Sequence, residues 1–388
     1  MDGATEAGDG VATADGRVRL GAVTGTVGVA GNAWDRLCHY AGRHETRGRT
    51  VRVTVIGAGS WGTTIAAILA TKEPTVLWAR RAELAAAIND HRENKEYLPG
   101  TALPAKLDAT SDLKAAVADT DLVVMAVPSH GYRAVMQLVA PGLATDVPIL
   151  SLAKGIEQKT LMRMTEVTID VLPAHDSSRI GVLTGPNLAS EIVAGQPAAT
   201  VVAMKDPKVA ATLQRLFMTP TFRVYTNADV AGCESAGALK NVMAIAAGMA
   251  HGLGFGDNTM ATLITRALAE LTRLGIAMGG KPLTFSGLAG MGDLVATCMS
   301  EKSRNHTVGF GLGRGKTLEA VLGEMKEVAE GVKSTRGVLA LADRHEVEMP
   351  IASQVGRVLY EGASPVDAVA NLMTRRAKAE MEGIERPR

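Results

Sequence analysis

The sequence predicts an α/β protein: an N-terminal doubly wound, mostly parallel sheet followed by an all-α C-terminal domain. Three observations support this fold class. Apolar runs of strand length alternate with helical periods from Val51 to about residue 230, which is typical of a sheet covered by helices on both faces. A glycine-rich turn at residues 57–62 joins the first of these runs to a helical one. Beyond Asp229 the strand patterns end and helical periods dominate.

The first domain is expected to span residues 50–230. Its predicted strands are 51–56, 74–78, 121–127, 148–152, 180–183, 198–203 and 223–225, and its predicted helices are 63–70, 82–92, 161–172 and 207–217. The second domain, 231–388, is expected to hold helices at 230–250, 258–278, 316–325, 331–345, 350–361 and 365–372. Residues 1–49 are rich in Gly, Ala, Thr and Asp without a sustained period, so we expect a disordered or non-native extension there.

The composition excludes several classes of function. A net charge of +1 over 388 residues gives no overall attraction to nucleic acid or anionic membranes. Three scattered cysteines indicate neither a disulfide framework nor a metal site. The sequence contains no run of 18 apolar residues. The acidic residues near its N-terminus do not fit a secretory or transit signal. We therefore expect a cytoplasmic protein without integral membrane contact, nucleic-acid partner or metal.

The glycine turn, Gly57-Ala58-Gly59-Ser60-Trp61-Gly62, follows a strand pattern and opens a helix, which is the context that dinucleotide-binding G-x-G-x-x-G motifs require. Gly57 would form the tight turn, and Gly59 would let the backbone approach a pyrophosphate. Gly62 would let the helix pack closely on the strand. The pattern predicts a Rossmann-type domain with the diphosphate at the helix N-terminus.

The end of the second predicted strand bears on the choice of cofactor. Its sequence is Trp78-Ala79-Arg80-Arg81, and no acid occurs before Glu83. NAD-binding domains usually carry an Asp or Glu there for the ribose hydroxyls, whereas two guanidiniums would stabilise a 2′-phosphate. We predict a preference for NADP(H), with NAD(H) possible. The alternative is that both arginines are ordinary surface cations.

Two lysines occur where the neighbouring residues are apolar. Lys154 ends a buried strand, at the carboxyl edge where such sheets bind ligands. Lys240 and Asn241 lie on a helix made otherwise of small and apolar residues. A desolvated lysine has a lowered pKa and can protonate the alkoxide that hydride addition to a carbonyl leaves. The alternative for Lys240 is a surface lysine whose ammonium reaches solvent.

A phosphate-binding segment is predicted further along the chain. Asp293 follows a glycine-rich approach, and Ser303-Arg304-Asn305 comes shortly after it. An arginine and an amide donor beside a glycine-rich backbone can hold a phosphate. Asp293 could orient a hydroxyl or the lysine, or could instead cap a helix. His130 is expected to be a helix-start contact rather than an acid–base group.

These motifs together resemble the bacterial sn-glycerol-3-phosphate dehydrogenase family, and the similarity covers about residues 51–380. The motifs are those at 55–64, 152–155, 183–189, 238–241 and 292–294. One departure is Asn187-Leu188, where many members have Ser or Thr followed by Phe. Because an amide can replace a hydroxyl as donor and acceptor, the local geometry differs but the chemistry is retained.

The resemblance implies reversible reduction of dihydroxyacetone phosphate to sn-glycerol 3-phosphate with NAD(P)H, which supplies glycerophospholipid synthesis. It implies that Lys240 is the proton donor and acceptor. With the glycine turn, the expected cofactor contacts are Gly57, Gly59, Ser60, Trp61, Gly62, Arg80, Arg81, Lys154, Ala189, Arg304, Val328 and Glu330. The expected substrate contacts are Lys154, Gly185, Asn187, Lys240, Asn241, Asp293, Ser303, Arg304 and Asn305.

Two alternatives are weighed against this hypothesis. A 3-hydroxyacid dehydrogenase of the phosphogluconate type also joins a Rossmann domain to a helical domain with a catalytic lysine, but it acts on a carboxylate. A non-catalytic NADPH-sensing protein would need no desolvated lysine and would often carry a DNA-binding module, for which no basic recognition helix is present. A homodimer that binds a small phosphorylated substrate is expected.

Overall fold

The computed structural model describes residues 51–325, 329–377 and 379–380. The predicted extension at 1–49 and the predicted cofactor contact Val328 therefore lie outside the described residues. Within them, an eight-stranded sheet is followed by a helical region, which confirms the predicted fold class. No helix in this part of the chain is both long and apolar enough to cross a membrane.

The sheet has the strand order β3-β2-β1-β4-β5-β6-β7-β8. Its strands are β1 (Val53–Ile56), β2 (Thr75–Trp78), β3 (Leu107–Thr110), β4 (Leu122–Met125), β5 (Ile149–Ser151), β6 (Ile180–Thr184), β7 (Ala198–Ala203) and β8 (Phe222–Asn227). Strands β1 and β4 are buried along their whole length, since helices cover both faces of the sheet. All neighbours pair in parallel except β6 and β7, which are antiparallel.

The helices that connect these strands are α1 (Ser60–Ala70), α2 (Ala82–His91), α3 (Leu113–Val117), α4 (Ser129–Val139), α5 (Met164–Val171), α6 (Ala189–Val193) and α7 (Pro207–Phe217). The α7 boundary agrees with the prediction because Asp206 accepts hydrogen bonds from two backbone amides at the helix start and Pro207 occupies the first turn. The prediction missed β3, a four-residue strand that buries only alternate side chains.

The helical region begins with α8 (Val230–Gly252), a long helix buried along most of its length. It continues with α9 (Asp257–Ala277), α10 (Pro282–Phe285), α11 (Asp293–Met299), α12 (Arg304–Gly313), α13 (Leu318–Glu324), α14 (Glu330–Arg344), α15 (Pro350–Glu361) and α16 (Pro365–Met373). The last strand ends at Asn227 and α8 starts at Val230. The division into two domains near residue 230 itself stays a prediction.

The prediction missed α10, α11 and α12. Helix α12 is rich in glycine, which is typical of loops. In the fold, however, these glycines let two helix backbones approach each other. A Cβ atom on Gly309 would lie 2.0 Å from the carbonyl oxygen of Ile245 in α8, and one on Gly248 would lie 2.1 Å from that of His306. Tertiary packing therefore stabilises a helix whose own sequence favours a turn.

Candidate active site

A cleft of about 1070 Å³ lies between the carboxyl edge of the sheet and the helical region. Many predicted site residues line it: Gly57, Gly59, Ser60, Trp61, Gly62, Arg80, Arg81, Lys154, Asn187, Ala189, Lys240, Asn241, Asp293, Ser303, Arg304, Asn305 and Glu330. Gly185 does not line the cleft, but its carbonyl oxygen accepts a hydrogen bond from Lys154 Nζ at 3.0 Å. One cavity thus brings together residues that are up to 273 positions apart in the chain.

The glycine turn has the geometry that its sequence predicts. Gly57 has a φ of +120°, and a Cβ atom there would lie 2.5 Å from the carbonyl oxygen of Ala126, so only glycine fits. A Cβ on Gly62 would lie 1.9 Å from the carbonyl oxygen of Gly57. A Cβ on Gly59, in contrast, would meet no protein atom within 4 Å. Gly59 therefore leaves open space beside the N-terminus of α1.

This space suits a dinucleotide diphosphate. Helix α1 begins at Ser60 directly after Gly59, and the positive end of a helix dipole favours an anion. Trp61 lies in the same first turn, packs edge-on against Phe222 with 6.4 Å between ring centroids, and has a buried indole N–H without an acceptor. The residues present at this end of the cleft are compatible with a nicotinamide dinucleotide.

Arg80 and Arg81 lie between β2 and α2 and line the same cleft. Arg81 forms an ion pair with Glu96, which belongs to the loop after α2. The hydrogen bond to Glu96 is the main cause that raises the pKa of Arg81. Sequence reasoning missed Glu96 because it lies 15 positions from its partner and its own surroundings in the sequence are polar.

In the same cleft, Lys154, Asp293 and Lys240 form a group that we call the lysine–aspartate cluster. One carboxylate oxygen of Asp293 lies 2.7 Å from Lys240 Nζ, and the other lies 2.7 Å from Lys154 Nζ. Asp293 is 2% exposed and Lys240 is 5% exposed. The cluster thus combines one buried carboxylate with a buried ammonium group, that of Lys240, and a partly buried one, that of Lys154. Lys240 is not the surface lysine of the alternative interpretation.

The environment of Lys240 lowers its pKa to about 8. Burial is the largest cause, the charge of Asp293 opposes it, and the nearby Lys154 lowers the pKa further. Lys240 also donates a hydrogen bond to the hydroxyl of Thr297, which in turn donates to the carbonyl oxygen of Asp293 at 2.6 Å. An ammonium has three N–H groups, and within the described residues Asp293 and Thr297 take two of them.

The neighbouring residues hold this cluster in position. Asn241 donates from Nδ2 to the carbonyl oxygen of Lys154 at 3.0 Å, which connects α8 to the segment that follows β5. Asp293 is the first residue of α11. Its side chain faces the lysines instead of capping the helix, so the capping alternative is not what the structure shows. The sequence could have indicated Thr297, because it lies one helical turn after Asp293.

The predicted phosphate segment opens α12. Ser303 is the N-cap residue, and its hydroxyl accepts a hydrogen bond from the amide of His306 at 3.3 Å. Asn305 accepts a hydrogen bond from the amide of Gly331 at 2.9 Å, while Arg304 is exposed to the cleft. Across the cleft, Asn187 donates to Thr200 at 3.0 Å, and its buried Oδ1 has no protein donor.

Glu330 connects the two regions of the chain. It is the first residue of α14, and its carboxylate accepts a hydrogen bond from the amide of Ser129, the first residue of α4, at 3.1 Å. Burial raises its pKa, while the bond to Ser129 and the charge of Arg304 oppose that shift.

His130 is the second residue of α4, which agrees with a helix-start position. In the described part of the chain, no group of three metal-ligating side chains occurs.

The fold and the site define a class of protein: a two-region dehydrogenase with a glycine turn and a buried lysine in one cleft. Two family models match consecutive parts of the chain. The model for the N-terminus of NAD-dependent glycerol-3-phosphate dehydrogenase matches residues 52–210, and the model for its C-terminus matches residues 229–370. The chain therefore belongs to the NAD-dependent glycerol-3-phosphate dehydrogenase family. The resemblance predicted from the sequence motifs is confirmed.

Individual relatives agree with this assignment. A Streptomyces coelicolor protein named glycerol-3-phosphate dehydrogenase, with NAD(P)+ as its cofactor, is 54% identical over 333 residues, which cover 86% of this chain and 99% of the relative. A similarly named Sphingopyxis alaskensis protein is 53% identical over 83% of this chain and 96% of its own length. The crystal structure of glycerol-3-phosphate dehydrogenase from Coxiella burnetii is 36% identical, with a TM-score of 0.80, and the match covers 84% of this chain and 99% of that one.

Proposed function

We propose that this protein catalyses the reversible reduction of dihydroxyacetone phosphate to sn-glycerol 3-phosphate with NAD(P)H. The observation that supports this proposal most strongly is the lysine–aspartate cluster, which faces the glycine turn across one cleft. The family and the relatives named above point to the same reaction. We further propose that the product supplies glycerophospholipid synthesis, and that the protein works in the cytoplasm as a homodimer.

Lys240 is proposed to transfer the proton. A bound reduced nicotinamide supplies a hydride to the carbonyl carbon, which leaves negative charge on the carbonyl oxygen. Because its pKa is about 8, Lys240 can donate a proton near neutral pH and take it back in the reverse direction. Lys154 adds a second positive charge close to Asp293, and this charge would stabilise the developing oxyanion.

The substrate phosphate is proposed to lie at the start of α12. Arg304 is exposed to the cleft there, and a guanidinium binds a phosphate with charge-assisted, often bidentate hydrogen bonds. The positive end of the α12 helix dipole adds to this preference for an anion. Ser303 and Asn305 fix the local backbone through their bonds to His306 and Gly331. This arrangement suits a phosphate better than the carboxylate of a 3-hydroxyacid.

A preference for NADP(H) over NAD(H) remains part of the proposal. Arg80 and Arg81 lie where β2 ends and line the cleft, so both can contact a 2′-phosphate. If they do, replacing both with glutamine should raise the Michaelis constant for NADPH much more than that for NADH. Equal effects on the two cofactors would contradict this part of the proposal.

The central experiment mixes the purified protein with NADPH and dihydroxyacetone phosphate and follows the absorbance of the reduced nicotinamide. We expect loss of the signal with dihydroxyacetone phosphate, very little with unphosphorylated dihydroxyacetone, and none with 3-oxoacids. Turnover of the oxoacids would favour the phosphogluconate-type alternative. NADPH binding without any turnover would favour the sensing protein.

A further inference from the structure

No acidic residue follows β2 directly in the sequence, but an acidic side chain from the loop after α2 lies beside Arg81. Glu96 belongs to the loop between α2 and β3, and its carboxylate forms an ion pair and hydrogen bond with the guanidinium of Arg81. The side chains of Arg81 and Glu96 are 48% and 47% exposed. The place where a Rossmann-type domain usually carries an acid or a base for the ribose thus carries one of each.

The loop that carries Glu96 is anchored to the glycine turn itself. Asn94 is fully buried and donates from Nδ2 to the carbonyl oxygen of Ala58 at 2.9 Å and to the hydroxyl of Thr63 at 2.8 Å. Its own carbonyl oxygen and its side-chain oxygen accept hydrogen bonds from the amides of Leu98 and Tyr97. Asn94 therefore anchors this loop at the turn, and Glu96 lies beside Arg81, which lines the cleft.

The ion pair stabilises the charged form of both Arg81 and Glu96. The hydrogen bond to Arg81 is the main cause that lowers the pKa of Glu96, and hydrogen bonding to Tyr97 lowers it further. Glu96 is therefore ionised at neutral pH. A 2′-phosphate that approaches Arg81 meets a carboxylate that already occupies one side of the guanidinium, and two anions at one cation repel each other. A ribose with a free 2′-hydroxyl meets no such repulsion and can donate a hydrogen bond to a carboxylate.

We propose that Glu96 determines how strongly the cleft discriminates between NADP(H) and NAD(H). Arg81 favours the 2′-phosphate, and Glu96 offsets that preference and favours the unphosphorylated ribose. Glu96 is thus a specificity-determining residue that makes the protein tolerant of both cofactors. The inference rests on the proposed function only in taking the cleft as the dinucleotide site.

The test compares the wild-type protein with Glu96→Gln by isothermal titration calorimetry with NADPH and with NADH, without substrate. Glutamine keeps the size of the side chain and removes its charge. We expect the Kd for NADPH to fall about three- to tenfold, as the loss of one nearby like charge predicts, and the Kd for NADH to rise. A ratio of the two constants that does not change would overturn the inference.

Two further variants separate this effect from general charge and from misfolding. Glu83→Gln removes the same charge from the first turn of α2, and Glu83 makes the weakest electrostatic contribution to Arg81, so we expect little change in the ratio. An equal change in Glu83→Gln would overturn a specific role for Glu96. Glu96→Asp keeps the charge on a shorter side chain and should give a ratio closer to that of the wild type. A Glu96→Asp ratio equal to that of Glu96→Gln would contradict the inference.

The design also separates failure of the inference from failure of the proposed function. If wild-type protein binds neither dinucleotide, the proposed function is wrong. If it binds both and Glu96→Gln leaves their ratio unchanged, only the inference is wrong. A second readout is the salt dependence of NADPH binding, which should be steeper in Glu96→Gln because Arg81 then acts on the phosphate without an opposing charge.

Discussion

The glycine turn and the lysine–aspartate cluster lie in the same cleft, but they are built in different ways. The turn consists of six consecutive residues and exposes backbone, and its geometry depends on side chains that are absent at Gly57, Gly59 and Gly62. The cluster joins residues from the segment after β5, from α8 and from α11, and consists of two buried charges and one partly buried charge. The comparison shows that the geometry of a turn can be local in sequence, whereas a lysine with a lowered pKa requires surroundings that only the folded chain provides.

The energetic costs differ accordingly. The turn needs only conformational freedom and space, and neither depends on pH. The cluster buries the charges of Asp293 and Lys240 and partly buries that of Lys154, which is unfavourable unless each charge has a partner. Asp293 is that partner for both lysines at 2.7 Å. We therefore expect substitutions in the cluster to affect catalysis, stability and pH dependence together, and substitutions in the turn to affect binding or stability separately.

The largest effect is expected for Lys240→Ala, which removes the proposed proton donor. The kcat should fall by about 10²–10⁴-fold, the usual contribution of general acid–base catalysis, while NADPH binding should change little. Steady-state kinetics and calorimetry would measure the two effects. Lys205→Ala, at an exposed lysine, is the control. A rate near that of wild type would show that Lys154 or water donates the proton.

Asp293→Asn tests whether the carboxylate holds both lysines. Removing one partner of a buried ion pair costs about 3–5 kcal/mol, so the free energy of unfolding in urea should fall by about that amount.

The wild-type rate of reduction should fall as pH rises through about 8, the pKa of Lys240, because the proton donor is lost. In Asp293→Asn the midpoint should move to lower pH, since the charge that raises this pKa is gone. An unchanged midpoint would argue against Lys240 as the titrating group.

Arg304→Ala removes the proposed phosphate contact at the start of α12. Because a phosphate is bound alike in the ground state and the transition state, the Michaelis constant for dihydroxyacetone phosphate should rise with little change in kcat. The expected increase is about ten- to a hundredfold, as charged hydrogen bonds contribute about 1.5–3 kcal/mol. An effect on kcat alone would assign Arg304 a catalytic role instead.

The smallest effect is expected within the turn, where two glycines form a matched pair. Gly59→Ala adds a Cβ that meets no protein atom within 4 Å, so thermal stability should not change while the Kd for NADPH rises about tenfold. Gly62→Ala places its Cβ 1.9 Å from the carbonyl oxygen of Gly57 and should lower the free energy of unfolding by about 1–3 kcal/mol or more. Equal loss of stability in both variants would contradict the view that the open space beside Gly59 is a ligand site.

The elements that could be predicted are those whose signals are local. Strand β7 and helix α7 have the predicted bounds, because an apolar run with a clear end and an Asp-Pro helix start are contained in the segments themselves. Helix α12 could not be predicted, because its glycines favour a loop until they pack against α8. Glu96 and Ser129 were missed for a related reason, since their partners Arg81 and Glu330 lie elsewhere in the chain.

The sequence by itself determined most of the strands and the long helices along the chain, the glycine turn and the types of residue that line the cleft. These features follow from periodicity and from steric properties that belong to single residues or short segments. Only the tertiary structure decided that one carboxylate, Asp293, is shared by two lysines, that the pKa of Lys240 is lowered to about 8, and that Glu96 forms an ion pair with Arg81. Burial and charge–charge interactions depend on distances in space, and these distances exist only after the chain has folded.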